Sequence, residues 1–248
     1  MTIPVHAADI PYLNTAQMVE VDRLMIEEYG IDLIQMMESA GRNLAHLARV
    51  RFLDGDPRGK RVVVAAGTGG NGGGALVCAR RLSNWGADVR VVLTRPDENF
   101  APVPAHQLAI LRRMGMTVVD AEDHAASSGE QVDLIVDGII GYSLSGTPRA
   151  AAAQLIRWAD ECGAPVLALD VPSGLDTTSG TVFDPAVRAT ATMTLALPKE
   201  GLRAPGAEDY VGELYLADIS VPPSLYAEPS LGIEVGHLFA EGDIIRLS

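Results

Sequence analysis

Five polar side chains in this sequence follow closely on apolar runs, where a strand would deliver them to the edge of a sheet: Asn71, Asp137, Asp170, Ser173 and Lys199. Asp170 closes the run PVLALD and is the candidate acid/base. A carboxylate sheltered at such an edge has its pKa raised towards neutrality, where it both gives and accepts protons. The plainer alternative makes Asp170 a turn-former ahead of Pro172. Lys199 could hold a phosphate or assist the proton transfer; its alternative is an ordinary exposed lysine. Asn71, Asp137 and Ser173 are oxygen donors, with Asn71 as a helix cap and Ser173 as a turn residue in the bland reading. None of the five histidines falls in a recognisable motif.

The element that must position these groups is Arg61 to Leu82, RVVVAAGTGGNGGGALVCARRL. Val62 to Ala66 is a strand buried on both faces. Gly67 to Gly74 holds six glycines in eight residues and matches GxGxxG through Gly67, Gly69 and Gly72. Helical spacing resumes at Ala75. Strand, glycine loop and helix begin a βαβ unit whose backbone N–H groups can face a phosphate, or simply make a tight turn. Further strands are expected at Asp88 to Thr94, Met116 to Val119, Val132 to Gly141, Pro165 to Asp170, Ala189 to Ala196 and Val211 to Ile219. Helices are expected at Pro102 to Met114 and Ala150 to Cys162, with Ala121 to Glu130 irregular. Ahead of the sheet, two helices open with cap signatures at Asn14 and Asp32. The second strand ends in Thr94-Arg95-Pro96, without the acidic residue that holds a ribose in ordinary NAD-binding folds, which disfavours a dehydrogenase. The fold class is α/β: a Rossmann-like three-layer α/β/α sandwich with a mostly parallel central sheet and extra N-terminal helices. The motif-bearing segments then converge at the carboxyl edge of that sheet, where ligands bind. Beyond Pro222 the pattern fades.

The chain has 248 residues, of which 48% are hydrophobic but only 5% aromatic, so Ala, Val, Leu and Ile must form the core. No internal repeat or linker divides it, and one domain over 1–248 is expected, with its firm core at 14–220. A net charge of −13 repels nucleic acid and anionic membrane. Cys78 and Cys162 suit neither a disulfide framework nor a zinc site, and both are expected buried and reduced. The N-terminus lacks the pattern of a signal peptide, and no stretch reaches transmembrane length. A cytoplasmic protein is expected.

Several of these segments together resemble the YjeF N-terminal domain family, the NAD(P)H-hydrate epimerases. The glycine loop resembles the family pattern GxGNNGGDGLVxAR, GIDLIQMMESAG resembles GIxxxxLMENAG, VDGIIGYSLSGTPR resembles VDALLGTGLSGPLR, DVPSGLD resembles DIPSGLD, and LPKEGL resembles APKPGL. The match runs over about residues 14–220. It implies an isomerase interconverting the R and S forms of hydrated NADH and NADPH, a nicotinamide nucleotide repair function, in a homodimer. It implies that Gly70, Asn71, Gly72, Gly73 and Gly74 bind the nucleotide, together with Gly141, Tyr142, Ser143, Leu144, Ser145, Gly146, Thr147 and Asp170. It implies catalytic roles for Asp170 and Lys199. It also implies one potassium ion per subunit at Asn71, Asp137 and Ser173; oxygen ligands suit a hard cation. The sequence departs from the pattern where Gly70 replaces Asn, Gly74 replaces Asp, Ala75 replaces Gly and Ser39 replaces Asn. The alternative implied by those departures is a member that binds a nucleotide without turning it over, or acts on another small substrate.

Overall fold

The computed structural model of the chain describes residues 3–7, 9–126 and 131–248. Its sheet comprises β1 (Val5–His6), β2 (Arg61–Ala66), β3 (Asp88–Leu93), β4 (Thr117–Asp120), β5 (Leu134–Gly138), β6 (Val166–Leu169), β7 (Ala191–Leu195), β8 (Glu213–Ala217) and β9 (Ile244–Leu247). The order across the sheet is β1-β9-β8-β7-β6-β5-β2-β3-β4. All pairings are parallel except β8 with β9. The chain moves outward from β2 to β4, then returns to β5 on the other side of β2. The loops after β2 and β5 therefore diverge at a topological switch point, the place where a crevice opens in such sheets.

The helices are α1 (Thr15–Arg23), α2 (Leu33–Arg51), α3 (Gly70–Asn84), α4 (Pro102–Arg113), α5 (Ala121–Ala126), α6 (Ala150–Glu161) and two single turns, α7 (Glu208–Val211) and α8 (Pro223–Tyr226). Strand β2 shows why layers form on both sides. Val62, Val64 and Ala66 pack with Leu44, Leu76 and Leu108 from α2, α3 and α4. Val63 and Ala65 point the other way, onto Leu155, Ile156 and Ala159 of α6. Alternate side chains of one strand thus serve two cores, as a strand of a parallel sheet covered on both faces must. The mostly parallel three-layer α/β/α arrangement expected from sequence is what forms. Among the described residues, no helix is long and apolar enough to cross a membrane.

Both N-terminal cap signatures act. Gln17 N–H donates to Asn14 Oδ1 at 2.9 Å and Asn14 N–H to Gln17 Oε1 at 3.0 Å. Asp32 N–H donates to Gln35 Oε1 at 2.7 Å. Helix α1 then runs directly into a π-helical turn, Leu24–Glu28, a change of period that the sequence did not announce.

Several expected boundaries change. The glycine loop is mostly helix, because α3 starts at Gly70 and takes Gly70 to Gly74 into its opening turns. Strand β5 stops at Gly138 because the Ile139 N–H turns to the Asp137 carboxylate at 3.1 Å. Residues 121–126, expected irregular, form α5, and 127–130 lie outside the described residues. The region beyond Pro222 supplies β9, and the lead-in supplies β1, tied to β9 by Arg246 N–H to Pro4 C=O at 2.8 Å. Cys78 is fully buried, but Cys162, at the end of α6, is only half-buried. Burial pushes the Cys78 thiol pKa up, so it stays protonated and inert.

Gly67 is the residue on which the turn after β2 depends. A Cβ there would lie 1.9 Å from the Ile139 carbonyl oxygen, a backbone atom that cannot rotate away. Gly67→Ala is expected to cost roughly 3 kcal/mol in urea unfolding, since separating the β2 and β5 loops is the only relief. A loss below about 0.5 kcal/mol would show that the two loops are not in close contact.

Candidate active site

The tips of β6 and β7 carry a buried ion pair. Strand β6 ends where Asp170 turns into the left-handed region with φ 66°, while its N–H still donates to the Met193 carbonyl of β7 at 2.7 Å. That conformation is costly for a residue with a Cβ and persists only where surroundings enforce it. Here they do. The Lys199 ammonium donates to Asp170 Oδ1, to Thr194 Oγ1 at 3.2 Å and to the Leu195 carbonyl at 2.8 Å. Lys199 is 0% exposed and Asp170 4%. The exposed-lysine alternative is therefore set aside. Three acceptors for three ammonium protons is the full complement that a buried lysine requires. The lead-in holds the same lysine from outside: Leu13 N–H donates to Pro198 C=O at 2.8 Å, and Glu200 N–H to Leu13 C=O at 2.9 Å.

Beside this pair opens a cavity of about 490 Å³. Its floor is Asp170 and Lys199. One wall is the end of the β2 turn and the start of α3, Thr68 to Asn71; another is Ile139 to Ser143 after β5. The remaining wall comes from α1, its π-turn and α2, through Met18, Asp22, Ile26, Met36 and Met37. The cavity is apolar apart from a few convergent polar groups, as small-molecule sites are.

The residues expected to bind the nucleotide or act in catalysis separate into three groups. Gly70, Asn71, Gly141, Tyr142, Ser143, Asp170 and Lys199 meet at the cavity. Leu144, Ser145, Gly146 and Thr147 continue the segment beyond the cavity lining, with Ser145 and Thr147 exposed. Gly72, Gly73 and Gly74 are buried in the packing of α3 and do not line it. A Cβ at Gly73 would strike Met37 Sδ at 2.5 Å, and one at Gly74 would meet Leu169 Cδ2 at 2.9 Å, with Ala40 Cβ at 3.7 Å. The Gly74 position thus faces two residues of the cavity wall, and its lack of a side chain leaves that wall apolar.

Asp137 and Ser173 are also in direct contact. Ser173 donates to the Asp137 carboxylate twice, from Oγ at 2.6 Å and from its N–H at 2.8 Å, and Ser173 Oγ accepts the Ile140 N–H at 2.9 Å. Burial raises the Asp137 pKa to about 6 against the pull of these hydrogen bonds. Asn71 leans on the same segment: a Cβ at Gly141 would lie 3.3 Å from Asn71 Oδ1. Both polar atoms of the Asn71 side chain are buried and, among the described residues, without a hydrogen-bond partner. An unpaired buried amide is costly and calls for a missing partner. Asn71 is therefore not explained as a helix cap.

Sequence reasoning missed Asp22. Its carboxylate accepts a hydrogen bond from the Tyr142 hydroxyl, and burial raises its pKa. The available signal was its place on α1 at a spacing of four from Met18 and from Ile26, which puts a carboxylate in an apolar stripe.

Known proteins bear on this geometry. A sequence model of the family described as YjeF-related protein N-terminus matches residues 33–201, more than half of the chain. The chain is 42% identical to a protein named NAD(P)H-hydrate epimerase from Dehalogenimonas lykanthroporepellens, over 93% of this chain and 90% of that protein. It is 37% identical to a bifunctional NAD(P)H-hydrate repair enzyme from Salinibacter ruber, over 86% of this chain but 41% of that longer protein. The crystal structure of yeast ynu0 matches 96% of this chain and all of its own with a TM-score of 0.81, at 24% identity, and so shows the fold.

Removing the Lys199 charge alone would strand a buried carboxylate. Lys199→Met is expected to cost about 3–5 kcal/mol in chemical denaturation, and Asp170→Leu combined with it distinctly less than the sum of the two single changes. Additive costs would show that the two side chains do not compensate one another.

Proposed function

The chain belongs to the YjeF-related protein N-terminus family, and we propose that it is an NAD(P)H-hydrate epimerase, an isomerase that interconverts the R and S forms of hydrated NADH and NADPH. The observation that carries this reading is the buried Asp170–Lys199 pair opening onto an apolar cavity at the switch point of the sheet. The family relatives of matching length bear that enzyme's name.

Hydration of a reduced nicotinamide leaves a hydroxyl on the ring carbon beside the ring nitrogen. Exchanging its epimers requires bond breaking at that carbon and proton movement at the hydroxyl. In this reading the ring lies in the cavity against Met36, Met37 and Leu169, which exclude water. Asp170 moves the proton at the hydroxyl oxygen, and Lys199 holds that carboxylate in place and balances its charge. The start of α3 offers the free N–H groups of a helix N-terminus to the nucleotide phosphates, with Gly69 and Gly70 exposed beside the cavity. The exposed residues of 143–147 would extend along the rest of the nucleotide.

A potassium ion fits the donor set. The orphaned Asn71 Oδ1, the buried Asp137 carboxylate and Ser173 are hard oxygen donors addressing one segment, 137–141. No cluster of His, Cys, Asp and Glu suited to a softer metal occurs among the described residues. When bound, the ion would supply the positive charge that Asp137 lacks and fix the loop forming the cavity wall. We also read the enzyme as cytoplasmic and homodimeric. Val19 on α1 and Ile26 on its π-turn are 52% and 43% exposed and apolar, as an interface would have them.

A second reading rests on Gly74. Where the family pattern has Asp, this chain presents bare backbone against Leu169 and Ala40. A protein binding the nucleotide without turnover would show calorimetric binding and no acceleration in the epimer assay.

Catalytic amounts of the protein are expected to speed equilibration of the purified hydrate epimers, and Asp170→Asn to lower kcat about 10²–10⁴-fold. No acceleration at any potassium concentration would contradict the activity. Potassium should raise the unfolding free energy by about 2.7 kcal/mol at 100 times its Kd, and Asn71→Ala should abolish the increment. An equal rise with tetramethylammonium would contradict the ion site.

A further inference from the structure

The cavity holds a second couple besides Asp170 and Lys199. Asp22 comes from α1 and Tyr142 from the loop after β5, so this couple belongs to different walls from the strand tips that carry the first. Asp22 pairs with the Tyr142 hydroxyl. Among the described residues no cation forms an ion pair with it; the neighbouring Arg23 turns instead to Glu20, Glu27 and Glu28. The groups that Asp22 faces electrostatically are Tyr142, Lys199, Asp170 and the buried Tyr226. Helix α1 gains nothing from a carboxylate here, since Met18 and Ile26 on either side line the same cavity with apolar groups. Burial raises both members of the couple, Asp22 above the usual carboxylate range and Tyr142 above an ordinary phenol. The Tyr142 hydroxyl already donates to the Asp22 carboxylate, so a proton arriving at that hydroxyl has a direct route to Asp22.

We propose that Asp22, acting through the Tyr142 hydroxyl, is the second acid/base pair of the enzyme and serves the ring face opposite to the one served by Asp170 and Lys199. The assignment rests on the epimerase reading above. Its chemical reason is that the two epimers carry their hydroxyl on opposite faces of one ring. On the first face an acid gives a proton to the hydroxyl oxygen. The C–O bond breaks with its electron pair on oxygen, water leaves, and the nitrogen lone pair forms the C=N bond of a flat cation. A water then adds from the second face: its oxygen supplies the pair for the new C–O bond, the C=N pair returns to nitrogen, and the surplus proton passes to the base on that face. One proton enters and one leaves, with no oxidant or reductant. A single couple assists addition from its own face alone, and that addition returns the starting epimer.

The test follows each pure epimer in ¹⁸O-labelled water with wild type, Asp22→Asn, Tyr142→Phe and Asp170→Asn, after subtracting the protein-free rate. Asp22→Asn and Tyr142→Phe are each expected to lose epimerisation about 100-fold, while one epimer goes on taking up label without inverting. Asp170→Asn should keep label uptake in the other epimer instead. If Asp22→Asn melts out of solution, Tyr142→Phe, which removes one oxygen atom, decides. Epimerisation within about threefold of wild type in the folded variants, or label uptake reduced equally in both epimers, overturns the assignment, because a merely structural role would affect the two faces alike. A wild type that leaves the epimers untouched overturns the epimerase reading itself, and this assignment with it.

Discussion

The ion pair between Asp170 and Lys199 is the constraint on which the rest of the site depends. Two charges removed from water are tolerated only if they neutralise one another and their remaining protons and lone pairs are occupied. Thr194 Oγ1 and the Leu195 carbonyl occupy the two remaining ammonium protons. Those partners lie at the end of β7, whereas Asp170 lies at the end of β6. The pair therefore clamps adjacent strand ends, and it also holds Asp170 in a left-handed conformation that its Cβ opposes. Leu13 brings the lead-in across the lysine segment and so places α1 and α2 over the sheet edge.

The cavity follows from that placement. Parallel strands deliver the polar ends of β2, β5, β6 and β7 to one edge, but an edge alone is open to water. The N-terminal helices add the missing wall with Met18, Met36, Met37 and Asp22. Glycines in the turn after β2 and at the start of α3 let backbone and helix approach the β5 loop, leaving Asn71 against Gly141. Excluding water from a site strengthens each electrostatic interaction inside it. The same exclusion explains why the Asp22, Tyr142 and Asp137 protons are all held more tightly than in water.

Much of this was legible in the sequence, for a physical reason. A strand buried on both faces must be a continuous apolar run, so a polar residue closing it is displaced to the sheet edge. Val62 to Ala66 ending in glycines, VDLIVDGIIG with Asp137 near its end and PVLALD ending at Asp170 all announced where they would arrive. The capping signatures at Asn14 and Asp32 worked because their hydrogen bonds are local. What lacked a local signal stayed hidden. Burial of Lys199 depends on partners on two strands and a strap 186 positions away. Strand β9 is a four-residue piece at the margin of the sheet, recognisable only by its pairing to β8 and β1. The glycine run suggested a loop by composition, yet it opens α3, and the closeness of Met37 and Leu169 leaves no room for a Cβ at Gly73 or Gly74. Asp22 was masked because its helix had apolar residues enough to explain itself.

The central claim is that the ring of the nucleotide is held between the strand-tip ion pair and the N-terminal helices. A crystal structure of the protein with bound NADP⁺, in which the unhydrated ring cannot react, examines it directly. The account predicts the nicotinamide in the cavity, with one face towards Asp170 and the other towards Tyr142, and the phosphates at the start of α3. A nicotinamide bound outside the cavity, or a ring with both faces against apolar side chains and neither carboxylate within reach, would contradict it.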